Sequence, residues 1–513
     1  MPTPDQEKSN RIAKNTMFLY GQMFVQMIVT LLMARVLFRA LGVVDYGIYH
    51  VIGAVMSVFA VLNNIEGATI RFLTFDVGKS ISREKVHLMF STARTVHLVI
   101  AGVIFLLAET AGLYYVGNEL VVPPERLPAT MMVYQFSVVT TLFAIVSIPY
   151  EALLIAHEKM GAFASMGIVQ TLVGASIVLV VKYAETDRLV LYGVLVMLMQ
   201  LGVRVMYGIY CKRNFKEVAG KWVFDKDTFI RMLKFAGWTF NGTVAYMAYT
   251  EGVNLLLNAF FGPVMNAARG IANTIRQKVE QFASSFQGAV NPQIVKSYAQ
   301  GDYGYMHKLL ITSSRISLLI IFALALPVAL ETESILHLWL GDVPEYTIAF
   351  TRLSLLAVMV DVLGRILIMA IQATGRIAKF QMIEANILLL IVPASYVCLK
   401  LGYSPVSVYV TQVVFFVLAH AARIMIVCPS IQMRCRTYVR GVIVQSLLCM
   451  VTAAIVPVAL LHLMQDNEDS WWRMAIVVAT SLLTSAASIY YIGCDKEMRA
   501  FVTKKLKKNF THE

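Results

Sequence analysis

Apolar runs of about 20 residues recur from one end of this chain to the other, each long enough to cross a bilayer's hydrocarbon core as an α-helix. With 58% hydrophobic residues, 15% charged residues and a mean hydropathy of +0.67, the chain reads as an all-α polytopic membrane protein of about 14 transmembrane helices. No stretch between the runs approaches the ~100 residues of a soluble domain, so catalysis by an attached globular domain, and with it an enzyme, is not expected.

A net charge of +13 raises the question of nucleic acid, and its placement answers it. About 28 Lys and Arg gather near the loops and tails of one face and about 8 near the other, the asymmetry of the positive-inside rule. Both termini fall on the basic, cytoplasmic side. The tail KKLKK, Lys504 to Lys508, is read as a topological and anionic-lipid anchor, and no nucleic-acid partner is expected. The six cysteines show no metal-ligand spacing and no His-x-x-x-His pair occurs, so free thiols, no metal and no cofactor are expected. The first apolar run, from Thr16, has no small-residue cleavage site before Arg35 and reads as a retained helix.

The chain also repeats itself. RVLFRALGVVDYG (Arg35 to Gly47) turns at Gly42 between spans 1 and 2, and LNAFFGPVMNAARG (Leu257 to Gly270) turns at Gly262 between spans 7 and 8, 220 residues later. Ala156, Lys159 and Phe163 match Ala373, Arg376 and Phe380 at an offset of 217. Copies of about six spans, an even number, enter the membrane in the same sense, and a cavity between two such lobes is the expected transport site. The organisation predicted is an N-terminal lobe over 1–213, a basic linker over 214–231, a C-terminal lobe over 232–428, and an added helix pair with a basic tail over 429–513. Asp225 is the expected N-cap of an amphipathic linker helix through Phe229, Ile230, Met232 and Leu233, lying on the inner leaflet.

One helix is too polar to face lipid. Between Pro263 and Asn291, residues Arg269, Asn273, Arg276, Glu280, Ser284, Gln287 and Asn291 recur at steps of three or four, which stacks them opposite an apolar ridge of Ile271, Ile275, Val279, Phe282, Phe286 and Val290. The stripe is roughly 33 Å long, close to the thickness of the hydrocarbon core. In the other copy His50, Ser57, Asn64 and Arg71 follow at sevens and fall on or beside the same stripe after a shift of 220. An arginine in hydrocarbon costs at least ~2.5–3.5 kcal/mol, so both stripes are expected to face a watery cavity.

Guanidinium groups grip phosphate and carboxylate with paired hydrogen bonds, which points to an anionic or phosphate-bearing cargo for Arg269, Arg276, Asn273, Gln287, Asn291, Arg71 and His50. The side chains of Asn254, Asn258, Gln22 and Gln26 suit sugar hydroxyls and helix packing equally. Glu251, Glu280, Glu66 and Asp361 are candidates for taking up H⁺ or Na⁺, with salt bridges as the competing role. Arg276 with Glu280, and Asp361 with Arg365, are spaced to pair along one helix. Arg71, Arg204 and Arg423 are expected to snorkel to the cytoplasmic face.

The stretch from Asn254 to Asp302, with FFGP, NAARGIA and NPQIVKSYAQGD, and the turn LG-x-x-DYGIY ending at Tyr49, resemble polysaccharide flippases of the multidrug/oligosaccharidyl-lipid/polysaccharide exporter superfamily. The resemblance implies a MATE-like fold and a part in the export of O-antigen, capsule or a related glycan in lipopolysaccharide or polysaccharide biosynthesis. It also implies the cargo, an undecaprenyl-pyrophosphate-linked oligosaccharide turned from the cytoplasmic to the periplasmic leaflet of the bacterial inner membrane by alternating access. Polysaccharide polymerase machinery is a further candidate partner, and coupling to a proton or sodium gradient is what the family leads one to expect. Three other readings stand beside it, one of them a purely structural scaffold, which would not need so many intramembrane arginines. A cation-coupled multidrug antiporter of the same superfamily shares the fold but favours carboxylates and aromatics in its cavity. A membrane glycosyltransferase or polymerase needs a sizeable outer loop with acid/base or metal-binding residues.

Overall fold

The structure, a computed structural model, describes residues 4–60, 69–70, 73, 83–157, 159–374, 378–464, 471–495 and 499. Among these residues every regular element is helical. Contacts divide the chain into two units, Met1–Ala267 and Ala268–Glu513, with the division falling inside a long helix and not at the basic linker.

In the first unit α1 (Pro4–Ala60) runs as two helices joined at Gly42, where φ of 78° and ψ of 171° interrupt the helical path. α2 (Arg83–Leu107) is carried on by π-helical turns at Ala108–Gly112 and Tyr115–Glu119. Next come α3 (Leu127–Ala156), α4 (Met160–Tyr183) and α5 (Arg188–Asn214). α6 (Lys226–Met247) passes through a π-helical turn at Ala248–Gly252 into α7 (Val253–Phe261), which stops at Gly262 with φ of 74° and ψ of −170°. Gly42 and Gly262 therefore share a backbone conformation that is essentially reserved for glycine. The two turns matched in the sequence share this torsion.

Asp225 caps α6 as predicted, its Oδ2 accepting from the Thr228 amide at 2.8 Å. The amphipathic segment behind the cap is not a separate surface helix. It forms the first turns of α6, with Met232 fully buried and Phe229 packed on the core made by Phe90, Leu153 and Tyr207. The linker ahead of it is fastened to α2, since the Val223 amide donates to Ser91 Oγ at 2.7 Å, the Asp225 amide to Thr92 Oγ1 at 3.1 Å, and Trp222 Nε1 to Thr95 Oγ1 at 2.6 Å.

The second unit holds most of α8 (Pro263–Ala299), then α9 (Tyr303–Leu330), α10 (Thr332–Leu340), α11 (Thr347–Thr374), α12 (Ala378–Leu389) and α13 (Ile391–Lys400). α14 (Val406–Ser430), α15 (Gln445–Leu463) and α16 (Trp471–Ser488) complete it. Leu310, Leu318, Leu355, Ile366 and Val427 are buried at the meeting of α9, α11 and α14. α15 and α16 pack on each other and on α9. Arg315 of α9, 2% exposed, fastens them by donating to the Gly441 carbonyl at 3.2 Å and to Asp495 Oδ2 at 2.7 Å.

Eleven helical stretches among the described residues are long and apolar enough to cross a membrane. One of them, Val25–Phe59, contains the break at Gly42 and counts twice. The continuous α6–α7 and the polar α8 are also long enough at 1.5 Å per residue, which brings the count to the expected value of about 14. Leu106, Leu447 and Leu483 stand exposed on their helices while Ser314, Thr351 and Ser481 are buried, the reverse of a bundle that folds in water.

Candidate functional site

In the second unit α8 sets its stripe against α11, and the two helices join α12 and α14 in a network of charges. Arg276 stands 3.8 Å from Glu280. Glu280 is also ion-paired with Arg365 of α11, which reaches back to Asp361 at 2.9 Å and donates to Ser284 Oγ at 3.2 Å. Asp361 lies 3.7 Å from Arg423 of α14, and Arg423 Nε donates to Glu384 of α12 at 2.8 Å. Among the described residues three guanidinium groups thus face three carboxylates in this network, cations and anions matched in number.

Both pairs expected from their spacing form. Arg423, however, does not snorkel: its side chain is 5% exposed and held by Glu384. Arg204 likewise pairs with Glu151. Burying a guanidinium beside a carboxylate avoids the larger cost of burying it alone. Gly364 makes the space, because a Cβ there would overlap the Arg423 guanidinium. The most open cation of the network is Arg365, 32% exposed, which the spacing identified only as a partner for Asp361. Arg269, a leading anion candidate, is 4% exposed with its guanidinium 5.5 Å from the centre of the Tyr409 ring, a cation–π arrangement. Gln287 is buried and donates to the Val362 carbonyl at 3.1 Å, and Asn273 is half-buried. Glu66 and Arg71 lie outside the described residues, as do the side chains of Gln22 and Asn291.

In the first unit Asn254 and Asn258 form an amide cluster closed by Asn266 of α8. Asn266 Nδ2 donates to Asn254 O at 2.8 Å and Oδ1 at 2.7 Å, and Asn258 Nδ2 donates to Asn266 Oδ1 at 3.0 Å. Asn258 also exchanges hydrogen bonds with the backbone of Val121, at 3.1 and 3.2 Å. Of the two roles their sequence allowed, the geometry gives these two residues packing: they staple the turn at Gly262. His50 is half-buried with its ring 4.6 Å from that of Tyr46, and Gln26 and Glu251 are half-buried on their helices. Among the described residues no group of three or more His, Cys, Asp and Glu is placed to hold a metal, and all six cysteines are free thiols.

Residues 12–298 match the sequence family described as polysaccharide biosynthesis protein. No curated protein matches the chain in sequence. The solved structure of the lipid II flippase MurJ in an inward closed conformation aligns with a TM-score of 0.68 at 14% identity, covering 93% of this chain and 98% of that one. An inward-facing multidrug resistance MATE family transporter of the MOP superfamily gives 0.61 at 11% identity over 79% of this chain and 94% of its own. The eukaryotic MATE transporter AtDTX14 gives 0.57 at 13% identity over 85% and 97%. At such identities the likeness is one of fold, and the fold is MATE-like.

Proposed function

The chain belongs to the polysaccharide biosynthesis protein family, and from that premise we propose that it is a flippase. It turns an undecaprenyl-pyrophosphate-linked oligosaccharide from the cytoplasmic to the periplasmic leaflet of a bacterial inner membrane by alternating access. The reading is carried by the balanced charge network around α8, a polar helix in a chain of hydrocarbon spans. Pyrophosphate presents several anionic oxygens, and the planar fork of Arg365 is shaped to take two of them. Because cations and anions are already matched in the network, a phosphate gains that fork only by displacing a carboxylate. Glu280 and Asp361 are then short of positive charge in a low-dielectric setting, and a proton or Na⁺ taken up at either restores the balance. Cargo and cation are coupled by electroneutrality, with no resident metal or cofactor in the scheme. A multidrug antiporter fits this network less well, since carboxylates matched by arginines leave no surplus negative charge for a cationic drug.

The test is leaflet-resolved labelling of the lipid-linked glycan in host cells that lack the protein and in cells complemented with variants. Without the protein the intermediate is expected to accumulate on the cytoplasmic side, and wild type to clear it. Arg365→Ala, at unchanged protein level, is expected to clear it about tenfold more slowly, with Arg365→Lys between because an ammonium lacks the fork. Normal crossing in the deletion strain, accompanied by sensitivity to cationic drugs, would replace the flippase with the antiporter.

A further inference from the structure

The first unit contains a cavity of its own, of about 260 Å³, walled by α1, α3 and α5. Its polar groups among the described residues are Tyr49 and Ser57 of α1, Ser137, Thr140 and Thr141 of α3, and Gln200 of α5, none of them charged. Ser57, placed by its spacing on the polar stripe of span 2, opens into this cavity. The hydroxyls of α3 have already given their protons away: Ser137 Oγ donates to the Val133 carbonyl, Thr140 Oγ1 to that of Phe136 and Thr141 Oγ1 to that of Ser137, each at 2.8 Å. What they retain for a ligand is lone pairs. Gln200 Oε1 accepts from Gln170 Nε2 at 3.3 Å, which leaves its amide hydrogens as the donors of the opposite wall.

A ligand suited to these walls donates several hydrogen bonds, accepts one or two, and carries no charge. Among the described residues the lining holds no carboxylate to balance a cation and no guanidinium or ammonium to balance an anion. Phe136 and Met56 offer apolar surface for the C–H face of a ring. We propose that this cavity binds a single neutral sugar ring. A cavity of about 260 Å³ has room for one ring. The ring belongs either to the glycan cargo or to a free sugar, and only the first source rests on the flippase reading above.

Gly53 provides a clean way to fill the space, because it lines the cavity and a Cβ added to it meets nothing within 4 Å. Saturation-transfer NMR on the full-length protein in lipid nanodiscs, with methyl glucoside, methyl galactoside and methyl N-acetylglucosaminide as probes, reads the binding. Tetramethylammonium and methyl phosphate serve as charged probes. Wild type is expected to transfer saturation to the ring protons of at least one glycoside and to neither charged probe. Gly53→Leu, by occupying the space, and Thr140→Val, by removing an acceptor at constant shape, are expected to lose the signal with unchanged thermal midpoints. No glycoside signal in wild type, an undiminished signal in Gly53→Leu, or a stronger one from tetramethylammonium would overturn the assignment. Glycan crossing in cells carrying Gly53→Leu separates the sources: slowed crossing identifies the ring as the cargo's, and normal crossing identifies a free sugar. If glycan crosses without the protein at all, the flippase reading fails while the NMR result stands.

Discussion

Gly364 matters for what it lacks. A Cβ at that position runs into the Arg423 guanidinium, whose partners Glu384 and Asp361 are themselves largely buried. Forcing Arg423 away strands Glu384, while Asp361 keeps Arg365, and breaking a buried pair from one side costs about 3–5 kcal/mol. Gly364→Ala is accordingly expected to lower the thermal midpoint of the purified protein as much as Arg423→Leu does, and the double change Arg423→Leu with Glu384→Leu to recover most of the loss. An unaltered midpoint in Gly364→Ala would mean that Arg423 has another place to go. Sequence spacing made the pairs Asp361–Arg365 and Arg276–Glu280 legible because helix geometry joins residues four apart. It offered no such rule for Arg423 and Glu384, 39 positions apart, or for Arg315 and Asp495, 180 apart. An arginine that snorkels and one that pairs across helices look alike in a string. The amides of Asn254 and Asn258 were ambiguous for the same reason, since an amide that meets water and one that meets another amide are the same letter.

At the level of elements, the matched glycines isolate backbone strain from packing. A Cβ at Gly42 meets nothing within 4 Å and one at Gly262 makes only an ordinary contact with Val121 at 3.7 Å, so any penalty there comes from torsion. Gly42→Ala and Gly262→Ala are each expected to cost about 1–3 kcal/mol in a reversible unfolding assay, and by similar amounts. If either is tolerated without loss, the turn at that end is not fixed by its torsions. The helices themselves were legible from the lengths of the apolar runs, and the start of α6 from Asp225. What misled was the amphipathic pattern after that cap. A helix lying on lipid and a helix pressing Phe229 and Met232 into a protein core need the same spacing of apolar residues.

At the scale of the molecule, the first unit is braced by a clamp of three separate segments. Arg126, at the head of α3, lies 2.6 Å from Asp45 just past the Gly42 turn and 2.6 Å from Asp187. Asp187 also caps α5 by accepting from the amides of Leu189 and Val190 at 3.0 and 3.2 Å. The hydrogen bond from Arg126 holds the Asp187 carboxyl below the usual carboxylate range. A carboxyl depressed in the folded state stabilises above its unfolded value of about 4, and that stabilisation is lost as pH falls through the lower, folded value. Thermal midpoints scanned from neutral pH down to pH 3 are expected to fall below about pH 4, and less steeply in Asp187→Asn. Identical slopes in the two proteins would remove Asp187 from the acid response. The architecture was largely legible at this scale, because a same-sense repeat and a run of about 14 apolar segments constrain a fold strongly. The charge network was legible only in part. Its inventory sits in the sequence, but the matching of its charges emerges when α8, α11, α12 and α14 are brought side by side.

That matching bears on how a membrane potential can act on the protein. One elementary charge moved through 100 mV gains or loses about 2.3 kcal/mol, which is how voltage sensors are driven. Three arginines travelling together with three carboxylates do no net electrical work in that field. The voltage therefore does no net work on these six groups when they move together, and on the flippase reading proposed above any electrical driving force on them would be delivered through the ion and the phosphate that enter.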